Sequence, residues 1–247
     1  MTASSQSSVN VSLQDIYIAD RLHVPKLSFN TGSLTHIIGQ NGAGKSTLLH
    51  VIAGLIRPPK GSYQVCFSGF DPTIIPSHRC YLTQQNDSVF GLTVAELFRF
   101  YTPYALAPEA LDQVLSVNQY HSRLLHTLSG GQQQRVHIAR CMMQVWESLL
   151  QGRAVLLFDE PFDALDLAYQ INWLACLHEF KLLGNVIAIA HHQLAWLNEC
   201  AKDDVLILQA GQIQAHGGIA SLWHPDCLTQ YFDIPTHQIP LYLQSFR

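Results

Sequence analysis

A glycine-rich segment at residues 39–47, GQNGAGKST, limits the possible folds of this chain more than any other feature. It fits the pattern GxxxxGK[ST], whose glycines let backbone N–H groups approach an anion closely. Lys45 is expected to reach the β- and γ-phosphates of a nucleotide, and the Ser46 hydroxyl to take a place on Mg²⁺. The pattern therefore predicts a loop that binds ATP with Mg²⁺. The predicted nucleotide contacts are Gly39, Gln40, Asn41, Gly42, Ala43, Gly44, Lys45, Ser46 and Thr47.

The segments around this loop favour a phosphate site. A short apolar run at Leu34–Ile38 predicts a strand that leads into the loop, and a helical pattern follows at residues 45–54. A helix beginning there would point the positive end of its dipole at the phosphates. Strand–helix alternation around a mostly helical middle predicts an α/β core with a helical insertion. Further strands are predicted at residues 11–18, 80–83, 154–158, 186–190, 205–209 and 212–215, and a helix at about 168–183.

Two carboxylates end an apolar strand in the segment AVLLFDE, residues 154–160. In a parallel sheet, ligands collect at the carboxyl ends of strands. Asp159 is therefore expected to hold Mg²⁺ through water, and Glu160 to lie near the γ-phosphate and polarise the attacking water. Paired acids at a strand end also occur as solvated turns. Because this pair follows a phosphate loop, we interpret it as catalytic.

A third motif, LSGGQQQR at residues 128–135, precedes a helix predicted at about 136–145. Ser129 suits a helix cap, and the two glycines after it expose backbone donors, as at a phosphate-binding helix start. An ordinary capped helix would explain the same residues. Since the first site already has its own helix start, we expect two copies to pair head to tail around each ATP. The predicted contacts from this turn are Ser129, Gly130, Gly131 and Gln132.

These three segments resemble the signature, Walker A and Walker B motifs of the ABC ATPase family, in the family's order and spacing. The resemblance covers about residues 13–215. It implies an α/β P-loop NTPase core of the RecA-like type, with an antiparallel β subdomain and an inserted α-helical subdomain at about 86–150. It also implies hydrolysis of ATP to ADP and phosphate, coupled to transport. The expected domain organisation is a disordered tail at 1–10, one ABC ATPase domain at 11–225 and a C-terminal extension at 226–247.

The resemblance assigns roles to further residues. Gln84 matches the Q-loop glutamine, which contacts Mg²⁺ and water in the family, and residues 164–166 match most of the D-loop. Asp163 stands where the family usually has Ser, which puts the usual contact across the dimer in doubt. The switch histidine, expected to hydrogen-bond the γ-phosphate, is His192 or His191, and the match of HQL to the family's HDL favours His192.

Two expected features are less clearly placed. An aromatic residue that stacks on adenine usually precedes Walker A in the family, but Asp20 occupies that position. Tyr17 is either a substitute or an ordinary strand residue. The helical middle should carry a groove for the membrane subunit, with subdomain core as the equal alternative for its candidate residues. Those candidates are Phe90, Leu92, Val94 and Phe98.

Composition argues against several other classes. Only 13% of residues are charged, the formal net charge is −4, and no Lys/Arg cluster stands out, so we expect no nucleic-acid binding. No apolar run is long enough to span a bilayer. The Ser-rich N-terminus lacks the blocks of a signal peptide. We expect a peripheral protein on the cytoplasmic face of the inner (cell) membrane.

The transported substrate is predicted from weaker similarities. Residues 13–39 and the extra segment 144–153 resemble the ATPase subunit of bacterial vitamin B12 (cobalamin) importers, but haem and iron–siderophore importers share much of the pattern. The resemblance implies a homodimer on integral-membrane permease subunits, served indirectly by a periplasmic substrate-binding protein. One alternative is a soluble ABC ATPase acting on DNA or ribosomes, which usually carries two ATPase domains or basic arms. Another is a regulatory module without catalysis, which the presence of Glu160, Gln84 and His192 disfavours.

Overall fold

A computed structural model describes residues 8–67, 77–84, 91–232, 234–235 and 237–238. Its strands are β1 (Val9–Ile18), β2 (Leu22–Phe29), β3 (Leu34–Ile38), β4 (Lys60–Phe67), β5 (Arg79–Leu82), β6 (Val155–Asp159), β7 (Val186–His191), β8 (Asp204–Gln209) and β9 (Gln212–Gly218). Its helices are α1 (Lys45–Ile52), α2 (Val94–Tyr101), α3 (Glu109–Leu115), α4 (Gly130–Met143), α5 (Trp146–Leu150), α6 (Leu167–Leu182), α7 (Ile219–Leu222) and α8 (Pro225–Phe232).

The strands of the described ranges form one sheet in the order β4-β1-β2-β9-β8-β3-β7-β6-β5. From β8 to β5 every neighbouring pair is parallel. Each residue of β3, β6 and β7 is buried, because helices cover both faces of this part of the sheet. Successive side chains of β6 therefore enter different cores: Phe158 packs on the side of α4 and α6, and Leu157 on the side of α1.

The parallel strands end at one edge of the sheet. Ile38, the last residue of β3, pairs with His191, and Asp159, the last residue of β6, pairs with Ala190. The glycine-rich loop, Glu160 and His192 directly follow these strand ends. Three segments that are distant in sequence are thereby brought together, as expected for a parallel α/β sheet.

The other side of the sheet is antiparallel except for the parallel pair β2–β9. β1 pairs with β2 and with β4, and β2 joins the rest of the sheet through β9. The predicted antiparallel β subdomain is confirmed, but the tail predicted at residues 1–10 is too long. Val9 is fully buried in β1, and the side chain of Asn10 accepts a hydrogen bond from Thr31 N–H at 3.0 Å, so both belong to the sheet. Residues 1–7 lie outside the described ranges.

The helical insertion contains α2 to α5, and its structure decides between two alternatives and corrects one expectation. Val94 and Phe98 are fully buried and hold α2 against the subdomain, so of the two alternatives for these residues the subdomain core is the correct one and the partner groove is not. Leu92 is half-buried, and Phe90 lies outside the described residues. The helix after the signature-like motif begins at Gly130 rather than at about residue 136, because Ser129 caps it.

The C-terminal extension begins as a helix. The side chains of Cys227 and Leu228 in α8 are buried, so this part of the extension packs on the domain. Residues 239–247 lie outside the described ranges. None of the helices in the described part of the chain is long and apolar enough to cross a membrane.

Candidate active site

The glycine-rich loop borders an open cavity of about 480 Å³. Gly44, with φ 100°, precedes α1 without any side-chain cap, so the first N–H groups of the helix are free to face this cavity. A Cβ atom on Gly44 would lie 2.8 Å from the carbonyl oxygen of Arg21, which leaves room for glycine only. The cavity is lined by Asp20, Arg21, Asn41, Gly42, Ala43, Gly44, Lys45, Ser46, Thr47, Gln84 and Glu160.

Lys45 is the buried cation of this cavity, whose lining also includes Arg21. Its ammonium group donates to the carbonyl oxygens of Gly39 at 2.8 Å and of Gln40 at 3.4 Å, and its Nζ lies 3.6 Å from Oε1 of Glu160. Buried charges of opposite sign attract each other strongly. Gly39 and Gln40 thus contribute carbonyl groups that orient Lys45, whereas residues 41–47 line the cavity itself.

Glu160 is held in a strained and buried position. Its φ is 47°, which is unusual for a residue other than glycine, and its N–H donates to Ala190 O at 2.8 Å. Burial raises the pKa of Glu160, although the positive charges of Lys45 and His192 oppose the shift. A carboxylate with a raised pKa, fixed beside the phosphate loop, suits a group that accepts a proton from water.

Asp159 offers a carboxylate oxygen that suits Mg²⁺. The Tyr81 hydroxyl donates to Oδ2 of Asp159 at 3.2 Å, whereas Oδ1 is buried and has no hydrogen-bond partner among the described residues. Gln84 and Ser46, whose side chains each carry an oxygen atom, are among the residues that line the cavity. Oxygen donors of this kind suit Mg²⁺. Burial and the charge of Asp159 raise the pKa of Tyr81 well above its usual range, so the phenol keeps its proton.

Tyr81 was not identified from the sequence. It lies on β5 beside β6, and its contact with Asp159 depends on the pairing of these two strands. A tyrosine within a short strand carries no local signal of such a role.

The adjacent residues His191 and His192 point in different directions. Nδ1 of the exposed His192 lies 3.0 Å from Oε2 of Glu160. His191 is fully buried and faces His36 instead. This geometry favours His192 over His191 as the residue that acts at the γ-phosphate.

The turn at Ser129 forms a separate site. The Ser129 hydroxyl accepts from Gln132 N–H at 3.3 Å, and the Gln132 side chain accepts from Ser129 N–H at 3.0 Å, which is a complete capping box. A Cβ atom on Gly131 would lie 2.6 Å from Ala164 O, so the turn packs tightly on the D-loop-like segment. The cavity here has a volume of about 180 Å³ and shares no lining residue with the cavity at Lys45. Its lining includes Ser129, Gly131 and Gln132.

No aromatic residue is among the described residues that line the cavity. Asp20 and Arg21 line it, whereas Tyr17 packs edge-on against His23 with ring centroids 6.0 Å apart. Tyr17 is therefore an ordinary residue of β1. Arg21, with its planar guanidinium, was not identified from the sequence.

Family comparison agrees with this geometry. The family model described as ABC transporter matches residues 22–163, a range that contains the glycine-rich loop, the Ser129 turn and both strand-end acids.

The chain belongs to the ABC transporter family.

This ABC protein has close curated relatives. It is 32% identical over 227 residues to the hemin import ATP-binding protein of Rhodopseudomonas palustris strain HaA2, covering 87% of this chain and 86% of the relative. It is 31% identical over 234 residues to the vitamin B12 import ATP-binding protein of Yersinia pseudotuberculosis, covering 90% and 91%. As ABC ATP-binding proteins do, this chain hydrolyses ATP to power transport.

Solved structures agree on the fold. The ATP-binding subunit of an ABC transporter has a TM-score of 0.70 with this ABC protein at 23% identity, and covers 95% of this chain and 99% of the other. A nucleotide-free ATP-binding cassette has a TM-score of 0.67 at 21% identity, covering 92% and 96%. The predicted P-loop NTPase fold is confirmed.

Proposed function

We propose that this chain is the ATPase subunit of an ABC importer and that Glu160 is its catalytic carboxylate. The observation that carries this proposal is the convergence of Lys45 and His192 on the two oxygens of Glu160 beside the phosphate loop. Glu160 accepts a proton from the attacking water, and His192 and Gln84 orient the γ-phosphate and that water. Positioning and charge neutralisation of this kind account for most of the barrier reduction in phosphoryl transfer.

The same cavity is proposed to bind ATP with Mg²⁺. The N–H groups of residues 41–47 and the start of α1 hold the phosphates, and Lys45 turns its ammonium group to the β- and γ-phosphates. Ser46, Gln84 and Asp159 hold Mg²⁺, which neutralises charge on the phosphates. Arg21 flanks the base in place of the usual aromatic residue, since guanidinium groups stack on planar rings.

A homodimer completes each site. The Ser129 turn and the phosphate loop line separate cavities in one chain, so we propose that Ser129 to Gln132 of one copy close over the ATP held by the other. ATP binding then favours the closed dimer because each nucleotide contacts both subunits. Loss of the γ-phosphate removes those contacts and lets the dimer open.

The permease subunits are proposed to dock at a cavity of about 450 Å³ between β5 and the helical subdomain. Leu55 and Tyr101 line it and are 63% and 43% exposed, and Phe100 beside it is 76% exposed. Exposed apolar side chains grouped around a groove are typical of interaction sites. We propose that the ATPase is thereby held as a peripheral subunit on the cytoplasmic face of the inner membrane. Its lining is Ala53, Leu55, Arg79, Tyr81, Thr83, Tyr101, Arg140 and Gln144.

The substrate we propose is vitamin B12 (cobalamin), delivered to the permease by a periplasmic substrate-binding protein. The vitamin B12 relative supports this proposal, through its match over 90% of this chain. The hemin relative is equally similar, and haem or an iron–siderophore is therefore the alternative substrate. Nothing in the proposed mechanism requires the ATPase subunit to contact the substrate.

Uptake measurements test this proposal. Cells that lack their own ATPase subunit would receive this chain together with the permease and binding protein encoded for it, and take up labelled cobalamin or labelled haem. We expect cobalamin uptake with the native chain and none with Glu160→Gln. If only haem is taken up, then haem and not cobalamin is the substrate. Uptake that persists in Glu160→Gln would reject Glu160 as the catalytic carboxylate.

A further inference from the structure

A chain of buried polar side chains lies behind the nucleotide site. Nε2 of His191 lies 2.9 Å from Nδ1 of His36, and Nε2 of His36 lies 3.2 Å from Oδ2 of Asp203. All three residues are buried. Their segments are far apart in sequence, so the contacts exist only in the folded sheet. Buried polar groups of this kind specify one arrangement when their partners are satisfied.

Asp203 is anchored from outside by helix α6. His178 Nε2 lies 2.8 Å from Oδ2 of Asp203, and the Lys181 ammonium group donates to Oδ1 at 2.7 Å. Burial alone would raise the pKa of Asp203, but the hydrogen bonds from His178, His36 and Lys181 outweigh it and hold the pKa well below its usual range. Asp203 is therefore a fixed buried anion.

The charge on Asp203 sets the direction of the hydrogen bonds. A carboxylate only accepts, so His36 donates its Nε2–H to Asp203 and its Nδ1 accepts the Nε2–H of His191. This assignment needs one proton on each ring. Burial lowers the pKa of both His36 and His191, which keeps both rings neutral near pH 7. The hydrogen bonds thus run in one direction, from His191 through His36 to Asp203.

These hydrogen-bonded side chains connect strands and helices that carry residues of the nucleotide site. His36 lies on β3, which leads into the phosphate loop, and His191 ends β7 directly before His192. The ring of His191 also packs edge-on against Phe162, with centroids 5.8 Å apart, and Phe162 follows closely after Glu160 in the chain. Helix α6, whose His178 and Lys181 bind Asp203, begins directly after the D-loop-like segment at Asp166.

We propose that His191, His36 and Asp203 form a positioning chain that fixes the end of β7, so that His192 meets Glu160 in the orientation needed for hydrolysis. None of the three lines the cavity at Lys45, and they act through His192. This inference rests on the proposed roles of His192 and Glu160. It gives His191 a function different from that of the switch histidine.

Metal binding is the competing explanation for part of this cluster. Ligand atoms of His36, Cys200 and Asp203 lie within 4.8 Å of one another, and this donor set suits zinc. The Lys181 ammonium group disfavours a cation there because it already neutralises Asp203 at 2.7 Å. The hydrogen-bond chain also uses both ring nitrogens of His36 without any metal.

The test replaces His36 with glutamine, whose amide retains a contact with Asp203 but does not reach His191. We expect kcat for ATP hydrolysis to fall about tenfold, the loss of one positioned hydrogen bond, with KM for ATP changed less than about twofold. His137→Gln is the matched control, because His137 is a buried imidazole of α4 that does not belong to the hydrogen-bonded chain. The kcat of this variant should stay at the wild-type value. If His36→Gln does not fold, Asp203→Asn serves in the same assay.

A double-mutant cycle separates positioning from general damage. In a His192→Ala background, His36→Gln should change the residual kcat by less than about twofold, because residues that act through one group are not additive. A full tenfold loss in that background would overturn the proposal. So would wild-type kcat in His36→Gln itself, or about one zinc per chain that His36→Gln releases. Wild-type kcat in His192→Ala alone would instead reject the proposed role of His192, and with it this inference.

Discussion

Nδ1 of His192 lies 3.0 Å from Oε2 of Glu160, and Nζ of Lys45 lies 3.6 Å from Oε1. The two oxygens of one carboxylate thus face two different basic groups, one directly after β7 and one from the phosphate loop. Together with the backbone bond from Glu160 N–H to Ala190, these contacts fix a residue whose φ of 47° is strained. Strain of this kind is found where the surrounding structure needs one orientation of a functional group.

Glu160→Gln should abolish hydrolysis while ATP still binds. The amide has the same shape as the carboxylate but cannot accept a proton from water, so we expect kcat to fall by a factor of about 100 or more. Steady-state phosphate release and equilibrium ATP binding measure the two effects. The matched control is Glu109→Gln at the start of α3, where Glu109 is exposed; this variant should keep full activity. Near-normal turnover in Glu160→Gln would exclude this carboxylate as the base.

The acid limb of the activity profile should reflect the raised pKa of Glu160. Hydrolysis needs the carboxylate, so kcat should fall as the pH decreases through that pKa, at a higher pH than for an ordinary glutamate. His192→Gln removes a charge that lowers the pKa of Glu160, so the acid limb of its residual activity should move to still higher pH. A shift to lower pH in this variant would contradict the proposed electrostatics.

Tyr81→Phe should weaken the response to Mg²⁺. The phenol holds Oδ2 of Asp159 and leaves Oδ1 for the metal, so its loss lets the carboxylate rotate. We expect the Mg²⁺ concentration for half-maximal ATPase activity to rise at least about tenfold, the effect of losing one hydrogen bond to a charged group. The ring contact with His50, at 5.2 Å between centroids, is kept by phenylalanine. Tyr17→Phe, at an exposed side chain of β1, should leave the Mg²⁺ response unchanged. An unchanged Mg²⁺ response in Tyr81→Phe would reject the role proposed for Tyr81.

The sequence was sufficient for the features that depend on local pattern. The phosphate loop, the apolar strand before Asp159 and the helix after the D-loop-like segment all have short-range signals, and each lies where the pattern predicts it. The strands β2 and β4 were not predicted individually. Each of them has exposed residues, and β2 contains Pro25, so neither forms a clear apolar run.

Features that depend on tertiary contact were not predictable. The contact between Tyr81 and Asp159 requires β5 to pair with β6, and that between His36 and His191 requires β3 to pair with β7. The sequence left open whether Phe98 lies in the subdomain core or in a partner groove, because an amphipathic helix shows an apolar face in sequence but not which surface covers it. In the signature-like segment, the helix was predicted to begin at about residue 136, whereas the capping box of Ser129 starts it at Gly130.

Leu55→Glu should separate transport from hydrolysis. Leu55 is 63% exposed at the rim of the groove proposed for the permease, so a charge there should disturb docking without reaching the nucleotide. We expect uptake to fall at least about tenfold while the isolated subunit keeps its basal ATPase rate, since a buried unpaired charge strongly opposes an interface. Leu182→Glu is the control, because Leu182 is 86% exposed at the end of α6. Uptake with this variant should equal that of the native chain. Equal uptake by both variants would place the permease elsewhere.

Mixing two inactive variants tests whether each site is shared between copies. Lys45→Ala disables the phosphate loop, and Ser129→Arg disables the turn that we propose to act on the other copy's ATP. In a mixed dimer, the intact loop of one chain meets the intact turn of the other, which restores one site of the two. Random mixing should therefore recover about a quarter of the wild-type rate at concentrations that favour the dimer, as expected for a two-fold assembly with shared sites. Each variant alone should stay inactive. If the mixture also stays inactive, although the two chains are shown to associate, then each site is completed within one chain and the head-to-tail arrangement is wrong.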